Sequence, residues 1–266
     1  MKGVDWLVIT PTTGQSPFFE KTLESLNFLP GRKKHIIVCP QSVLNKMQAL
    51  APTSEVISEG SKKCGMYGAI NIGFEKALVD YKYLCYINDD DFYLSSISKI
   101  SDRIIDGNAI FYGNTKIVDK DNNFLYPYPT SCSVKLNKLF LEARIVPFMQ
   151  CSMIFPKTVM NKLKRFDSGY QYCGDLALIL KAMSIGIPFK YINEDIAAFR
   201  VHEKQLSASF GHMEMESNKA FNLYLTHKRS NIFNITMKSI FIVINLKSYI
   251  IRIAKNKKIF TKDFYI

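Results

Sequence analysis

The chain has 266 residues, is 47% hydrophobic and carries 19 Phe and 14 Tyr, which excludes a disordered protein and suffices for one large domain with a tail. Its net charge of +12 is strongest toward the C-terminus. With no nucleic-acid-binding motif and no single basic stripe, an anionic membrane surface is the expected partner and nucleic acid is not.

Six scattered cysteines (39, 64, 85, 132, 151, 173) include no CxxC pair, so reduced thiols in a cytosolic protein are expected and a zinc site is not. Asp5 and Pro11 interrupt the first apolar stretch, so no secretory leader is expected. Val4–Thr10 reads as a buried strand that ends in the turn Thr10-Pro11-Thr12-Thr13-Gly14. Ser16 and Pro17 suit the start of a helix running to Phe28. Strands at 34–39 and 55–58 flank a helix at 41–50. Apolar residues at helical spacing place the next helix over 65–81. Strand and helix alternating in this way predict a parallel, doubly wound sheet, whose ligands bind beyond the carboxyl ends of its strands.

The strand Tyr83–Ile87 ends in Asn88-Asp89-Asp90-Asp91. Carboxylates packed side by side repel unless a cation lies between them, so this strand end is a candidate Mg²⁺ or Mn²⁺ site for a phosphate-bearing ligand. A polar turn with Asp91 opening the next helix is the competing reading. Beyond residue 108 the alternation changes. Strands are expected at 109–118, 152–155, 189–193 and 196–201, a hairpin-like turn at 119–123, and helices at 157–163 and 175–185.

Five segments, in order, resemble the inverting family 2 glycosyltransferases of GT-A fold. They are Leu7–Thr12, Gly65–Gly73, Asn88–Asp91, Phe166-Asp167 through Gly174-Asp175-Leu176, and Phe199-Arg200-Val201-His202 through Ser207. The resemblance covers about residues 4–210. It implies an α/β, Rossmann-like, mostly parallel twisted sheet flanked by helices, with a nucleotide-sugar-binding half (1–108), an acceptor-binding half (109–210) and a helical basic tail (211–266). It also implies transfer of a sugar from a nucleotide-diphosphate sugar, a UDP-sugar first, to a hydroxyl of a growing surface glycan, with a lipid-linked acceptor expected from the tail.

Asp175 is then the base that takes the acceptor proton, with a plain helix cap as the alternative. Thr10, Pro11, Thr12, Glu59 and Asn71 are candidates to grip the nucleotide. Asp91 is the first choice as direct metal ligand, with Asp89 or Asp90 completing the site or holding the ribose, and His202 is a candidate third ligand. The metal motif can be framed as Asn88–Asp90 or Asp89–Asp91. Where the family usually has a base-reading Asp, this chain has Val38-Cys39-Pro40-Gln41, which leaves the nucleotide open. Tyr67 is a candidate to stack on a base or sugar.

Residues 235–254 are apolar but broken by Lys238, Asn245, Lys247 and Arg252, so a membrane-spanning helix is not expected. Lys238, Asn245 and Arg252 recur at seven-residue spacing and suggest one polar face of a helix lying in a membrane surface, at the inner face of the plasma membrane. A helix packed on the domain or on a second copy is the alternative. Two other functions compete: a nucleotidyltransferase, which would need a Gly-rich basic loop after the first strand, and a non-catalytic, basic membrane- or polyanion-binding protein.

Overall fold

The computed structural model describes residues 3–60, 64–105, 107–203, 205, 210–225, 227 and 229–256; Leu206 and Ser207, at the end of the last motif, lie outside the described residues. The strands are β1 (Val4–Pro11), β2 (Lys33–Cys39), β3 (Glu55–Ser58), β4 (Tyr81–Tyr86), β5 (Phe92–Tyr93), β6 (Ile110–Val118), β7 (Phe124–Pro127), β8 (Met153–Pro156) and β9 (Phe189–Arg200). The helices are α1 (Phe19–Ser25), α2 (Leu44–Leu50), α3 (Gly65–Lys76), α4 (Val134–Glu142), α5 (Lys157–Leu163), α6 (Gly174–Ser184), α7 (Phe210–Tyr224), α8 (Asn231–Ile244) and α9 (Leu246–Asn256).

One sheet runs β3-β2-β1-β4-β8-β6-β9-β5, with β7 paired to β6. Its first half, β3-β2-β1-β4, is parallel. Trp6, Leu7, Val8 and Ile9 are all buried because helices cover both faces, which is why β1 reads as an unbroken apolar run. Gly73 lets α3 lie close on this sheet: a Cβ there would come within 2.9 Å of Ile9 Cγ2 and 3.1 Å of Val38 Cγ2. The second half is mixed. β8 is antiparallel to β4 and β6, β9 is parallel to β6, and β5 is antiparallel to β9.

Only residues 87–91 separate β4 from β5, although three strands lie between them in the sheet. Four strand spacings are about 19 Å, and six fully extended residues reach only about 20 Å. Because Asp91 N donates to Asn88 O (3.3 Å), the segment is folded into a turn and its reach is shorter. The second half of the sheet therefore curls over, and the acidic turn bridges its two ends.

Several elements differ from the sequence reading. The first helix starts at Phe19 with Phe18 as its N-cap residue, and Ser16 Oγ lies in the turn before it, donating to Asp89 O (2.8 Å) and accepting from Phe18 N (3.3 Å). α3 ends at Lys76, where Ala77 turns extended (φ −66°, ψ 100°) to lead into β4. The expected strands at 189–193 and 196–201 are one strand, β9, whose register against β6 shifts around Asn114.

The described part of the tail is α7, α8 and α9, the last two separated at Asn245, and it is packed on the rest of the fold. α7 lies on α6, α8 on α4 and α9 on β7. The expected polar face is overturned, since Asn245 and Arg252 are buried while Lys238 is exposed. Asn245 Nδ2 bonds Phe241 O (3.0 Å), and the Arg252 guanidinium lies over the Tyr126 ring (5.1 Å). Phe241 meets Phe140 edge-on at 5.0 Å, and burial of one such ring contributes about 1.5–3 kcal/mol. Among the described residues, no helix is long and apolar enough to cross a membrane.

Candidate active site

Strand register assembles the acidic turn. Ile9 pairs with Tyr86 in the parallel β1–β4 ladder, so residues 12 and 89 emerge level with each other beyond the strand ends. There Thr12 Oγ1 donates to Asp89 Oδ2 and accepts from Gly14 N (2.9 Å). From the other side, Phe92 pairs with Ala198 in the antiparallel β5–β9 ladder, which runs Asp90 back past Arg200. Arg200 N donates to Asp91 Oδ1 (3.0 Å), and Arg200 Nε donates to Asp90 O (2.8 Å).

The Arg200 guanidinium also donates to Asn122 Oδ1 (2.8 Å) and Lys120 O (3.2 Å), and it lies over Phe18 at 4.2 Å. Buried and held on all sides, Arg200 fixes the end of β9. Two residues further on, His202 Nε2 lies 2.9 Å from Asp90 Oδ2. The arginine of the closing motif thus sets the backbone that delivers the histidine.

The three carboxylates are not equivalent. Asp90 is about one-fifth exposed and His202 slightly less. Asp91, the first choice from sequence as metal ligand, is fully enclosed. Its Oδ2 and Asn88 Oδ1 are buried with no hydrogen-bond partner among the described residues. Burial, then the charge of Asp90, pushes the Asp91 carboxyl well above the usual range. Burial likewise raises Asp89 to about 6, with the Thr12 hydroxyl opposing.

Among the described residues, no three His, Cys, Asp or Glu side chains converge as a ready ligand set. A divalent ion at a diphosphate needs only one or two protein carboxylates or imidazoles, because phosphate oxygens and water supply the rest. The Asp90–His202 pair, backed by two further carboxylates that repel one another, fits that donor set.

Other expected residues are placed differently. Thr10 is buried, and its hydroxyl lies 3.0 Å from His35 Nε2, so its side chain faces the core. Asn71 accepts from Phe166 N (3.0 Å) and donates to Phe166 O (2.9 Å), tying α3 to the loop after α5. The Asn71 side chain thus serves this tie with one N–H and its carbonyl oxygen. Glu59 follows β3, half-buried, with the Cys64 thiol on its Oε2 (3.2 Å). Pro11 ends β1.

Asp175 lies in the first turn of α6, and burial raises its carboxyl above the ordinary value. Tyr67 Oη lies 2.9 Å from Asp175 Oδ1 and 3.1 Å from Tyr172 O. The Tyr67 ring is buried, which overturns its expected stacking on a ligand. Gly174 makes this contact possible, since a Cβ there would lie 2.6 Å from the ring. Tyr86 Oη is buried with no hydrogen-bond partner among the described residues. Burial, then the charges of Asp175, Cys151 and Asp91, raises its hydroxyl well above the usual phenol value.

Sequence reasoning missed Glu216 of α7. Its carboxylate accepts from Gln171 N (2.8 Å), Tyr172 N (2.7 Å) and Cys173 N (2.9 Å). A lone Glu in a polar helix carries no sequence signal for such a contact.

The family model for glycosyl transferase family 2 matches residues 7–181. An uncharacterised glycosyltransferase of Rickettsia typhi is 20% identical over 214 residues, 74% of this chain, and the chain spans only 64% of that relative. Staphylococcus aureus TarS (residues 1–349), solved in complex with UDP-GlcNAc, superposes with a TM-score of 0.64 at 13% identity, covering 90% of this chain and 71% of that one. The mannosyltransferase PcManGT of Pyrobaculum calidifontis, solved with GDP-Man and Mn²⁺, gives 0.60 at 12% identity, covering 96% and 74%. These structural likenesses establish the GT-A fold.

Proposed function

The chain belongs to glycosyl transferase family 2, and we propose that it moves a sugar from a nucleotide-diphosphate sugar, a UDP-sugar first, to a hydroxyl of a growing surface glycan. The observation that carries this reading is the acidic turn beyond the ends of β1 and β4, where His202 lies 2.9 Å from Asp90, in a fold that also holds Asp175 in the first turn of α6.

Asp175 accepts the proton of the attacking hydroxyl. The acceptor oxygen then bonds to the anomeric carbon from the face opposite the diphosphate, the carbon–oxygen bond to the phosphate breaks, and the configuration inverts. Tyr67 orients the Asp175 carboxyl. Asp90 and His202 would hold Mn²⁺ or Mg²⁺, which would supply positive charge to offset that of the leaving diphosphate. Asp89, fixed by Thr12, is the candidate for the ribose hydroxyls, and Pro11 and Glu59 line the approach of the base. This frames the metal motif as Asn88–Asp90, with Asp91 as its buried support.

The acceptor reading draws on the tail. Residues 217–262 hold ten Lys and Arg and no Asp or Glu. Ile232, Ile235, Val243, Leu246, Ile250 and Ile253 of α8 and α9 are exposed. An aliphatic stripe flanked by bases suits the surface of an anionic bilayer, where a lipid-linked glycan acceptor and the inner face of the plasma membrane would meet the enzyme.

The test is a melting screen of UDP, GDP, CDP, dTDP and their sugars, with Mn²⁺ and with EDTA. One metal-dependent nucleotide shift is expected. No shift with any donor would reject the transferase reading in favour of a non-catalytic surface-binding protein.

A further inference from the structure

The turn before α6 has no side-chain cap of its own. Its N-cap residue is Cys173, whose thiol points away to Met213 O of α7 (3.4 Å). The three consecutive N–H groups of Gln171, Tyr172 and Cys173 all converge on Glu216. Hydrogen bonds to an ionised acceptor are shorter and stronger than neutral ones, so three on one carboxylate hold this turn tightly. From the opposite side, Tyr67 Oη reaches both Tyr172 O and Asp175 Oδ1. The peptide unit of Tyr172 is thus gripped from α7 through its N–H and from α3 through its carbonyl. Asp175 follows three residues later.

We propose that Glu216 is a positioning residue for the reaction: by holding residues 171–173 it sets the start of α6 and so the place of the Asp175 carboxylate. The inference rests on the reading of Asp175 as base. It gives the C-terminal region a role in transfer separate from any membrane contact.

The test compares Glu216→Ala, Glu216→Gln, Asp175→Asn and the exposed control Met215→Ala. The readouts are turnover of UDP-GlcNAc, or of the nucleotide sugar selected by the melting screen, and amide hydrogen exchange across residues 171–176. A misplacement of about 1 Å can cost about 100-fold in rate. Glu216→Ala is therefore expected to lower kcat about 10–100-fold, with donor KM within about twofold, and to speed exchange at 171–173. Glu216→Gln keeps one acceptor oxygen and should fall between the parent and Ala, which also carries the test if the Ala variant folds poorly. Met215→Ala should change nothing.

An unchanged kcat in Glu216→Ala beside an inactive Asp175→Asn overturns the positioning role alone. Parental exchange at 171–173 in Glu216→Ala overturns it as well, whatever the kinetics. A fully active Asp175→Asn overturns the base and, with it, this inference.

Discussion

His202 Nε2 lies 2.9 Å from Asp90 Oδ2, across 112 residues of sequence, while the neighbouring Asp91 is sealed behind them against the Arg200 backbone. This contact is the ground for the proposed Asn88–Asp90 frame of the acidic motif. With UDP at about 100 times its Kd, stabilisation of about 2.7 kcal/mol is expected with Mn²⁺. Asp90→Asn and His202→Ala should remove the metal-dependent part of that shift. Asp91→Asn should retain it, and should melt higher than the parent without ligand at neutral pH. Asn still accepts from Arg200 N and carries no charge next to Asp90. If Asp91→Asn loses the metal shift and Asp90→Asn keeps it, the frame is Asp89–Asp91 instead.

Burial raises the Asp175 carboxyl, and this has two consequences of opposite sign. A base works ionised, so kcat/KM should fall as pH drops through the raised value, with its acidic limb above the ordinary Asp value of about 3.9. Folding, in contrast, favours the protonated form. Stability is full below the unfolded value and is lost as pH rises through the folded one. Asp175→Asn should therefore be inactive yet melt higher than the parent at neutral pH. A pH–rate profile with a limb at or below the ordinary value, or a variant that melts lower, contradicts this assignment.

The parallel half of the sheet is legible from sequence because buried strands and covering helices leave apolar runs and helical spacings of their own. The acidic turn is legible because three adjacent carboxylates need a reason. Which of them faces out is not, since that follows from the Phe92–Ala198 register between strands far apart in the chain. Asn71 and Tyr67 fall in the expected motif but point at Phe166 and Asp175, contacts that only the packing of α3 on a distant loop creates. The two-residue β5 is too short to leave a periodic pattern.

Asn71 gives a prediction that separates support from ligand binding. Asn71→Ala leaves Phe166 N–H and C=O without their present partners in a buried position. Each unsatisfied group costs about 1–3 kcal/mol, so the melting temperature should fall clearly. Nucleotide affinity, measured by calorimetry below the melting range, should stay within about twofold. A stable variant with lost affinity would return Asn71 to the nucleotide.

His35 predicts acid sensitivity of the same half of the sheet. It is buried between Ser54 and Thr10, and burial lowers it from about 6.5 to about 3. The unfolded chain takes up this proton below pH 6.5 and the folded one does not, so stability is full above 6.5 and declines as pH falls toward 3. At pH 5 the loss from this residue alone is about 2 kcal/mol. His35→Gln, uncharged at every pH, should flatten denaturant-measured stability between pH 7 and 5. An unchanged slope would assign acid sensitivity elsewhere.

The outward aliphatic stripe of α8 and α9 predicts binding to anionic vesicles. Ile232, Ile235 and Val243 recur on one side of α8, and Leu246, Ile250 and Ile253 on one side of α9, while Asn245 and Arg252 turn inward. Exposed Lys238 and Lys247 flank the stripe. Each basic side chain near an anionic surface adds about 1 kcal/mol of attraction, screened by salt. Co-sedimentation with phosphatidylglycerol-containing vesicles, absent with phosphatidylcholine alone and weakened at 0.5 M salt, is the expected result. Ile235→Asp/Ile250→Asp should abolish it and leave nucleotide binding intact. A second copy would cover the same stripe equally well. Vesicle binding that ignores lipid charge, with a dimer in solution that the double variant splits, would assign the stripe to self-association.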